Sequence, residues 1–128
     1  MPDLGNRSSV MGPQPIAKRF EVPPAMIAAA NHILELLAGG RRAELEALGV
    51  SKAPGELREL MDAIAPGIYG RHQVIAHAKA NNHYYVKARL FGARAAPFTL
   101  QLRLGEHEGR WAIWEAMNLS GGRTAWTR

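Results

Sequence analysis

Three side chains suited to acid–base chemistry, His72, Tyr84 and Glu115, lie at apolar-face positions of segments whose alternation predicts β-strands. A carboxyl group in an apolar cavity acquires a raised pKa and can act as a general acid or base. A histidine or tyrosine beside it can donate a hydrogen bond to a developing oxyanion. Glu115 is therefore the candidate catalytic residue, and we predict that His72, Tyr84, Glu115 and Trp111 contact a ligand.

A purely structural interpretation of the same residues stays open. An arginine or a helix terminus can hold Glu115, solvent can surround His72 at a strand end, and Tyr84 can belong to the core with its hydroxyl in water. His72 and Glu115 fall on the first and fourth predicted strands, which a flat sheet separates by roughly 14 Å. Only a strongly curled sheet brings them together.

The elements that must position these residues begin with three helices. After Pro24, the segment "AMIAAANHILELLAGG" has apolar residues at helical spacing and ends at two glycines. A short helix, "RRAELEAL", stops at Gly49, and a third runs roughly from Pro54 to Ile64.

From Tyr69 onward the hydrophobic period changes to two. The segments "RHQVIAHAKA", "YYVKARL" and "FTLQLRL" alternate apolar with polar residues and predict three antiparallel strands joined by short turns. For the first turn we predict a three-residue loop that pairs Ala80 with Tyr84, because this register keeps the apolar and charged faces apart. One asparagine of the loop should tolerate the left-handed conformation.

The segment "GRWAIWEAMNLSGG" predicts a fourth strand that is apolar on both faces. Strict alternation places Trp111, Ile113 and Glu115 on the inner face and Trp114 on the outer one. The outer face then carries aromatic and aliphatic side chains among cations that include Lys79, which favours an interface between two copies of the chain. The predicted dimer contacts are Ile75, Tyr85, Phe91 and Trp114.

Other chemistry has little support in the sequence. There is no cysteine, no histidine spacing typical of a metal site and no phosphate-binding glycine loop, so neither a metal nor a cofactor is expected. Aromatic residues among cations also describe a surface on which single-stranded nucleic acid can stack, and the net charge of +5 is compatible with this. No RNA-binding motif accompanies it, so nucleic acid is disfavoured as a partner.

Composition indicates one globular domain. The chain has 128 residues, of which 47% are hydrophobic, and it contains neither an apolar run long enough to span a membrane nor a secretory signal. We expect a soluble cytoplasmic protein with an extended arm over residues 1–23, a domain over residues 24–120 and a tail over residues 121–128.

The chain resembles the nuclear-transport-factor-two-like superfamily, which includes SnoaL-like cyclases and ketosteroid isomerases. The resemblance lies in the order of these elements, in the helix-ending "LLAGG" and in the last-strand pattern of Gly109, Trp111 and Ile113. The resemblance covers about residues 25 to 120. It implies an α+β cone, with three helices packed in a strongly curled four-stranded antiparallel sheet around an apolar pocket, and frequent dimers. It implies no single activity. Gly40 stands where many members carry aspartate, and no catalytic aspartate of the isomerases has a match.

Three functional hypotheses follow from these observations. The first is a dimeric module that binds a small apolar ligand or serves only in dimerisation. The second is a cofactor-free isomerase, cyclase or hydrolase that uses Glu115 with His72 or Tyr84. The third is nucleic-acid binding through the outer sheet face. A filled cone, or Glu115 paired with an arginine, would favour the module over the enzyme.

Overall fold

Three helices precede a four-stranded sheet in the computed structural model, which describes residues 22–120. The elements are α1 (Pro24–Ala38), α2 (Arg42–Leu48), α3 (Ala53–Ala63), β1 (Arg71–Ala80), β2 (His83–Gly92), β3 (Ala95–His107) and β4 (Arg110–Asn118). The predicted α+β class, with three helices before an antiparallel sheet, is confirmed. The predicted tail and all but the last two residues of the predicted arm lie outside the described residues.

Proline and glycine set the limits of the first helix. Pro24 occupies the first turn of α1, where the missing N–H costs no hydrogen bond. At the other end Gly40 adopts a left-handed φ of 70°, and the N–H of Arg41 donates to the carbonyl oxygen of Leu36 at 3.0 Å. This reversal lets α2 begin after a short turn and pack beside α1.

The sheet has the strand order β1-β2-β3-β4, with every neighbouring pair antiparallel. Its inner face packs against the helices, and Leu34, Leu57, Leu102 and Ile113 are among the fully buried members of a single core. Helix α3 lies against β4, and the N–H of Val50 donates to the carbonyl oxygen of Ile113 at 3.0 Å. The helices therefore cover one face of the sheet and part of the edge beside β4.

The register of the first hairpin differs from the predicted one, and the strand β1 has a bulge at Ile75. Ala80 pairs with His83 across a two-residue turn, so the predicted pairing of Ala80 with Tyr84 is wrong. Val74 pairs with Ala88 and Ala76 with Lys87, which leaves Ile75 as an extra residue. The extra residue at Ile75 shifts the pairing of the two strands by one position. The predicted three-residue loop would have made the same shift at the turn. The prediction of a left-handed asparagine is confirmed by Asn81, with a φ of 58°.

The bulge also changes which side chains face the helices. His72 and Val74 lie on the inner face as predicted, opposite Leu90 and Ala88. Beyond Ile75 the alternation is inverted, so that His77 pairs with Val86 and Lys79 with Tyr84, both on the inner face. The prediction of an outward Lys79 is therefore wrong.

A second bulge, at Trp114, inverts the alternation of β4. Leu104 pairs with Ile113, but Arg103 pairs with Glu115, and Trp114 has no partner in the ladder. Trp111 and Ile113 therefore keep their predicted inner positions. Glu115, by contrast, joins the outer row of Tyr85 and Arg103, and the prediction that it faces the interior is wrong.

None of the helices within residues 22–120 combines the length and the apolar character needed to cross a lipid bilayer.

Candidate functional site

An open cleft of about 550 Å³ lies at the end of the inner face where the β1–β2 turn meets the start of α1. Its lining residues come from both layers and are Pro23, Ala25, Lys79, Asn82, His83, Tyr84, Glu106 and Trp111. Beneath it the inner face is filled, because Leu104 and Ile113 are fully buried. The cleft therefore lies beside core residues at one end of the sheet.

Two aromatic rings form the wall of the cleft. Tyr84 on β2 and Trp111 on β4 have ring centroids 5.9 Å apart and planes inclined by 54°. Tyr84 is buried and Trp111 half-buried. Because Tyr84 is buried, the half-buried Trp111 ring supplies most of the aromatic surface open to the cleft, which suits a planar ligand.

Lys79 and Glu106, which line the same cleft, were not predicted from the sequence. The Lys79 ammonium lies 6.0 Å from the centroid of the Tyr84 ring, at the outer limit of a cation–π contact. Glu106 pairs with Trp111 across β3 and β4. The cleft thus offers one group of each charge beside its aromatic wall. A two-residue turn at Asn81 and Asn82 was the sequence signal that could have placed Lys79 opposite Tyr84.

The structure brings together two of the four predicted ligand contacts. Tyr84 and Trp111 share the cleft. His72 is half-buried at the other end of the hairpin, where it pairs with Leu90. Six residues of β2 separate Leu90 from Tyr84, which at about 3.3 Å per residue amounts to roughly 20 Å. His72 is therefore too far from Tyr84 to share a ligand-sized site.

Glu115 takes part in an ion-pair cluster outside the cleft. Its carboxylate lies 3.4 Å from Nη2 of Arg103 and 3.6 Å from Nζ of Lys52. Lys52 also lies 3.8 Å from Glu56. This arrangement does not support the predicted role of Glu115 as an acid or base in an apolar cavity.

The residues predicted to form a dimer interface lie on the outer face in different settings. Tyr85 and Phe91 are half-buried; Tyr85 is at a regular ladder position, whereas Phe91 lies at a register shift between β2 and β3. The guanidinium of Arg71 lies 4.8 Å from the Phe91 ring centroid. Ile75 and Trp114 are bulged residues. Their part in an interface stays a prediction.

Trp114 is covered in part by two histidines of its own chain. Its ring centroid lies 4.8 Å from that of His83 and 5.5 Å from that of His107, and its indole N–H donates to the carbonyl oxygen of Gly105 at 3.2 Å. The imidazole of His83 lies over Gly105, where a Cβ atom would overlap the ring. Burial lowers the pKa of His83, and the charge of Arg103 lowers it further, while Glu115 acts in the opposite direction.

Within residues 22–120, no three histidine or carboxylate side chains gather in a way that could hold a metal ion. The cleft instead is lined by aromatic, amide and single charged groups.

Comparison with known proteins gives similarity of fold alone. No family model matches the chain, and no curated protein does. Among solved structures, a nuclear-transport-factor-two-like protein of unknown function from Silicibacter pomeroyi is 20% identical with a TM-score of 0.51, over 71% of this chain and 92% of that one. A variant of the protein designated Rd1NTF2_05 is 12% identical with a TM-score of 0.50, over 72% of this chain and 94% of that one.

The first similarity covers 92% of the matched structure and 71% of this chain, and the second covers 94% and 72%. At these levels of identity they carry no information about ligands or reactions. They agree with the resemblance seen in the order of elements, in "LLAGG" and in the last-strand pattern. The chain therefore has the nuclear-transport-factor-two-like fold.

Proposed function

We propose that this protein is a small-molecule-binding domain whose ligand occupies the cleft beside Tyr84 and Trp111. The observation that carries the proposal is the pair of rings 5.9 Å apart in the wall of an open cavity of about 550 Å³. That volume lies within the range of roughly 300–1,000 Å³ common for ligand sites. The expected ligand is planar and largely apolar.

The charged groups of the cleft define which substituents the ligand can carry. Lys79 attracts an anionic group and Glu106 a cationic one, and both are exposed at the rim. Neither is buried strongly enough to bind a ligand by charge alone, because water screens exposed ions. Stacking on the aromatic wall should therefore supply most of the affinity, and the charges should set the orientation.

The enzymatic alternative has weaker support. The three groups it requires lie in separate places. His72 lies at the far end of the hairpin, Tyr84 in the cleft and Glu115 on the outer face. The pairing of Glu115 with Arg103 is the arrangement expected of a binding module. We therefore assign no reaction to the protein.

A fragment screen by protein NMR tests the proposal. Planar aromatic fragments should shift the resonances of Tyr84 and Trp111, and Trp111→Ala should weaken their binding by roughly tenfold, as the loss of one aromatic contact predicts. Met117→Ala, which alters an exposed residue of the outer face, is the control and should leave binding unchanged. Fragments that bind elsewhere, or that bind the Trp111→Ala variant equally well, would contradict the proposal.

We also propose that two copies associate through the outer face. Met117 and Leu119 on that face are 49% and 37% exposed, and Ile75, Tyr85 and Phe91 are half-buried beside cations. Exposed apolar side chains on an uncovered sheet face favour association with a second sheet. Nucleic-acid binding has less support, because Arg71 lies over Phe91 and Arg89 donates to the hydroxyl of Thr99 at 3.1 Å.

Light scattering coupled to gel filtration tests the association. The unmodified protein should have the mass of a dimer, and Met117→Lys should shift it towards the monomer because a charge would be buried at the interface. Ile68→Lys is a matched control, since Ile68 is 47% exposed but precedes the sheet. A monomeric unmodified protein would disprove the association and leave the ligand proposal intact.

A further inference from the structure

A second cavity, of about 330 Å³, opens on the outer face beside the same hairpin turn. Its lining residues are Ala80, Asn81, Asn82, His83, Tyr85 and Arg103. Asn82 and His83 also line the inner cleft, whereas Tyr85 and Arg103 line only the outer cavity. The two cavities therefore lie on opposite sides of the sheet and can be altered separately.

Arg103 has hydrogen-bonding capacity that its surroundings leave unused. A guanidinium group carries five N–H donors. Its contact with Glu115 is long, at 3.4 Å, and Glu115 is shared with Lys52. Its Nε is buried without an acceptor within residues 22–120. Because Nε is buried, the donors that an anion could reach are those of the two Nη atoms, on a side chain that is 27% exposed. Two parallel N–H groups of a guanidinium bind oxyanions strongly.

The remaining polar groups of the cavity are donors as well. Asn81 and Asn82 line it, and each side-chain amide carries an NH₂ donor beside its carbonyl oxygen. His83 is fixed between Gly105 and Trp114 and can donate from its ring. No carboxylate lines the cavity. Donors on several sides and no lining carboxylate favour a negatively charged group.

We propose that this outer cavity binds a small oxyanion, the phosphate or carboxylate group of a small molecule, through Arg103, His83 and the amides of the Asn81–Asn82 turn. The proposal does not depend on a ligand in the inner cleft. The cavity also lies at the corner of the sheet diagonally opposite Leu119. Tyr85 lines this cavity and is also one of the predicted dimer contacts, so the cavity lies at one border of the proposed association face.

The charges around His83 couple anion binding to protonation. The positive charge of Arg103 and burial both lower the pKa of His83, and Glu115 is the carboxylate that opposes them. A bound anion would offset the charge of Arg103 and raise the pKa of His83. Affinity should therefore increase as the pH falls through the region near and below 6.5.

The experiment is an NMR titration of the full chain with inorganic phosphate at constant ionic strength, with chloride as the replaced anion. The expected result is a saturable shift of the His83 and Arg103 side-chain resonances and a rise in the pKa of His83. Arg103→Gln should weaken binding at least roughly tenfold, since a charge-assisted pair is removed. Arg103→Lys should bind with intermediate affinity, because lysine keeps the positive charge but lacks the two parallel N–H donors of the guanidinium group.

Two controls make the result decisive. Lys87→Gln removes a cation of the outer face that does not line the cavity, and it should leave phosphate affinity unchanged. Trp111→Ala alters only the inner cleft and should also leave it unchanged. Equal losses in Lys87→Gln and Arg103→Gln, or a His83 pKa that phosphate does not alter, would overturn the proposal. Repeating the titration with acetate distinguishes a carboxylate site from a phosphate site.

Discussion

The carboxylate of Glu56, in the first turn of α3, accepts a hydrogen bond from the backbone N–H of Ala116 on β4 at 2.9 Å. β4 is the last strand of the sheet, and within residues 22–120 its outer edge has no strand partner beyond the isolated bridge of Ile113 with Gly49. Glu56 supplies one of the missing acceptors and connects the helical layer to the strand that carries Trp111 and Trp114.

Glu56→Ala should lower the free energy of unfolding by about 1–3 kcal/mol, the cost of leaving a partly buried N–H without its acceptor. Urea denaturation measures the change. Glu56→Gln should recover most of the loss, because the amide oxygen can accept the same hydrogen bond. Glu59→Ala, at an exposed position of the same helix, is the control and should have little effect. Equal losses at both positions would show that the contact contributes nothing specific.

Alanine should have opposite effects at two glycines. Gly105→Ala should destabilise the fold by about 1–3 kcal/mol, since the new Cβ would overlap His83 and force its ring from Trp114. Gly55→Ala should stabilise it by about 0.5–1 kcal/mol, because Gly55 lies in α3 and a Cβ there meets only the end of the Arg58 side chain at 3.8 Å. Thermal unfolding of both variants checks the two signs.

The stability of the fold should fall as the pH drops below about 6.5, in part because of His83. Burial and Arg103 lower the pKa of this residue in the folded protein below its ordinary value of 6.5. As the pH falls, the unfolded chain therefore takes up the proton at a higher pH than the folded protein does. The stabilisation is complete above 6.5 and is lost between 6.5 and the lower folded pKa. Urea denaturation at several pH values measures how steeply the free energy of unfolding changes with pH. His83→Gln should reduce this pH dependence, and His32→Gln, at an exposed position of α1, should leave it unchanged.

Glu115→Gln should leave the affinity of cleft ligands unchanged, because the carboxylate lies on the outer face with Arg103 and Lys52. The measurement is the NMR fragment titration used for Trp111→Ala. A loss of affinity comparable to that of Trp111→Ala would contradict the separation of Glu115 from the cleft.

The sequence was sufficient to predict the elements of the fold. Helical spacing ended by a glycine pair identified α1, and period-two alternation identified β1, β2 and β3 within a few residues. The segment that is apolar on both faces identified β4. These signals are local, because each depends on residues that are near one another in the chain. The positions of Tyr84 and Trp111 in one cavity followed from the same alternation, since no bulge intervenes before either residue in its strand.

The remainder of the site could not be predicted, because alternation assumes an uninterrupted ladder. An extra residue at Ile75 turned Lys79 inward, and another at Trp114 turned Glu115 outward. Whether a strand accepts a bulge depends on the competing energies of turn, register and packing, which involve three strands at once. Neither Ile75 nor Trp114 belongs to a residue type that marks a bulge locally.

The two bulges also determine how this chain should be compared with others. Consider a homologue whose strands are regular, aligned to this chain without a gap opposite Ile75 or Trp114. The alignment would match Lys79 with a residue on the outer face and Glu115 with a residue on the inner face. Functional roles can therefore be transferred to residues 76–80 and 115–118 only through strand pairing. A homologue that lacks one residue at either place would be a natural deletion variant, with the opposite set of side chains turned toward its cavity.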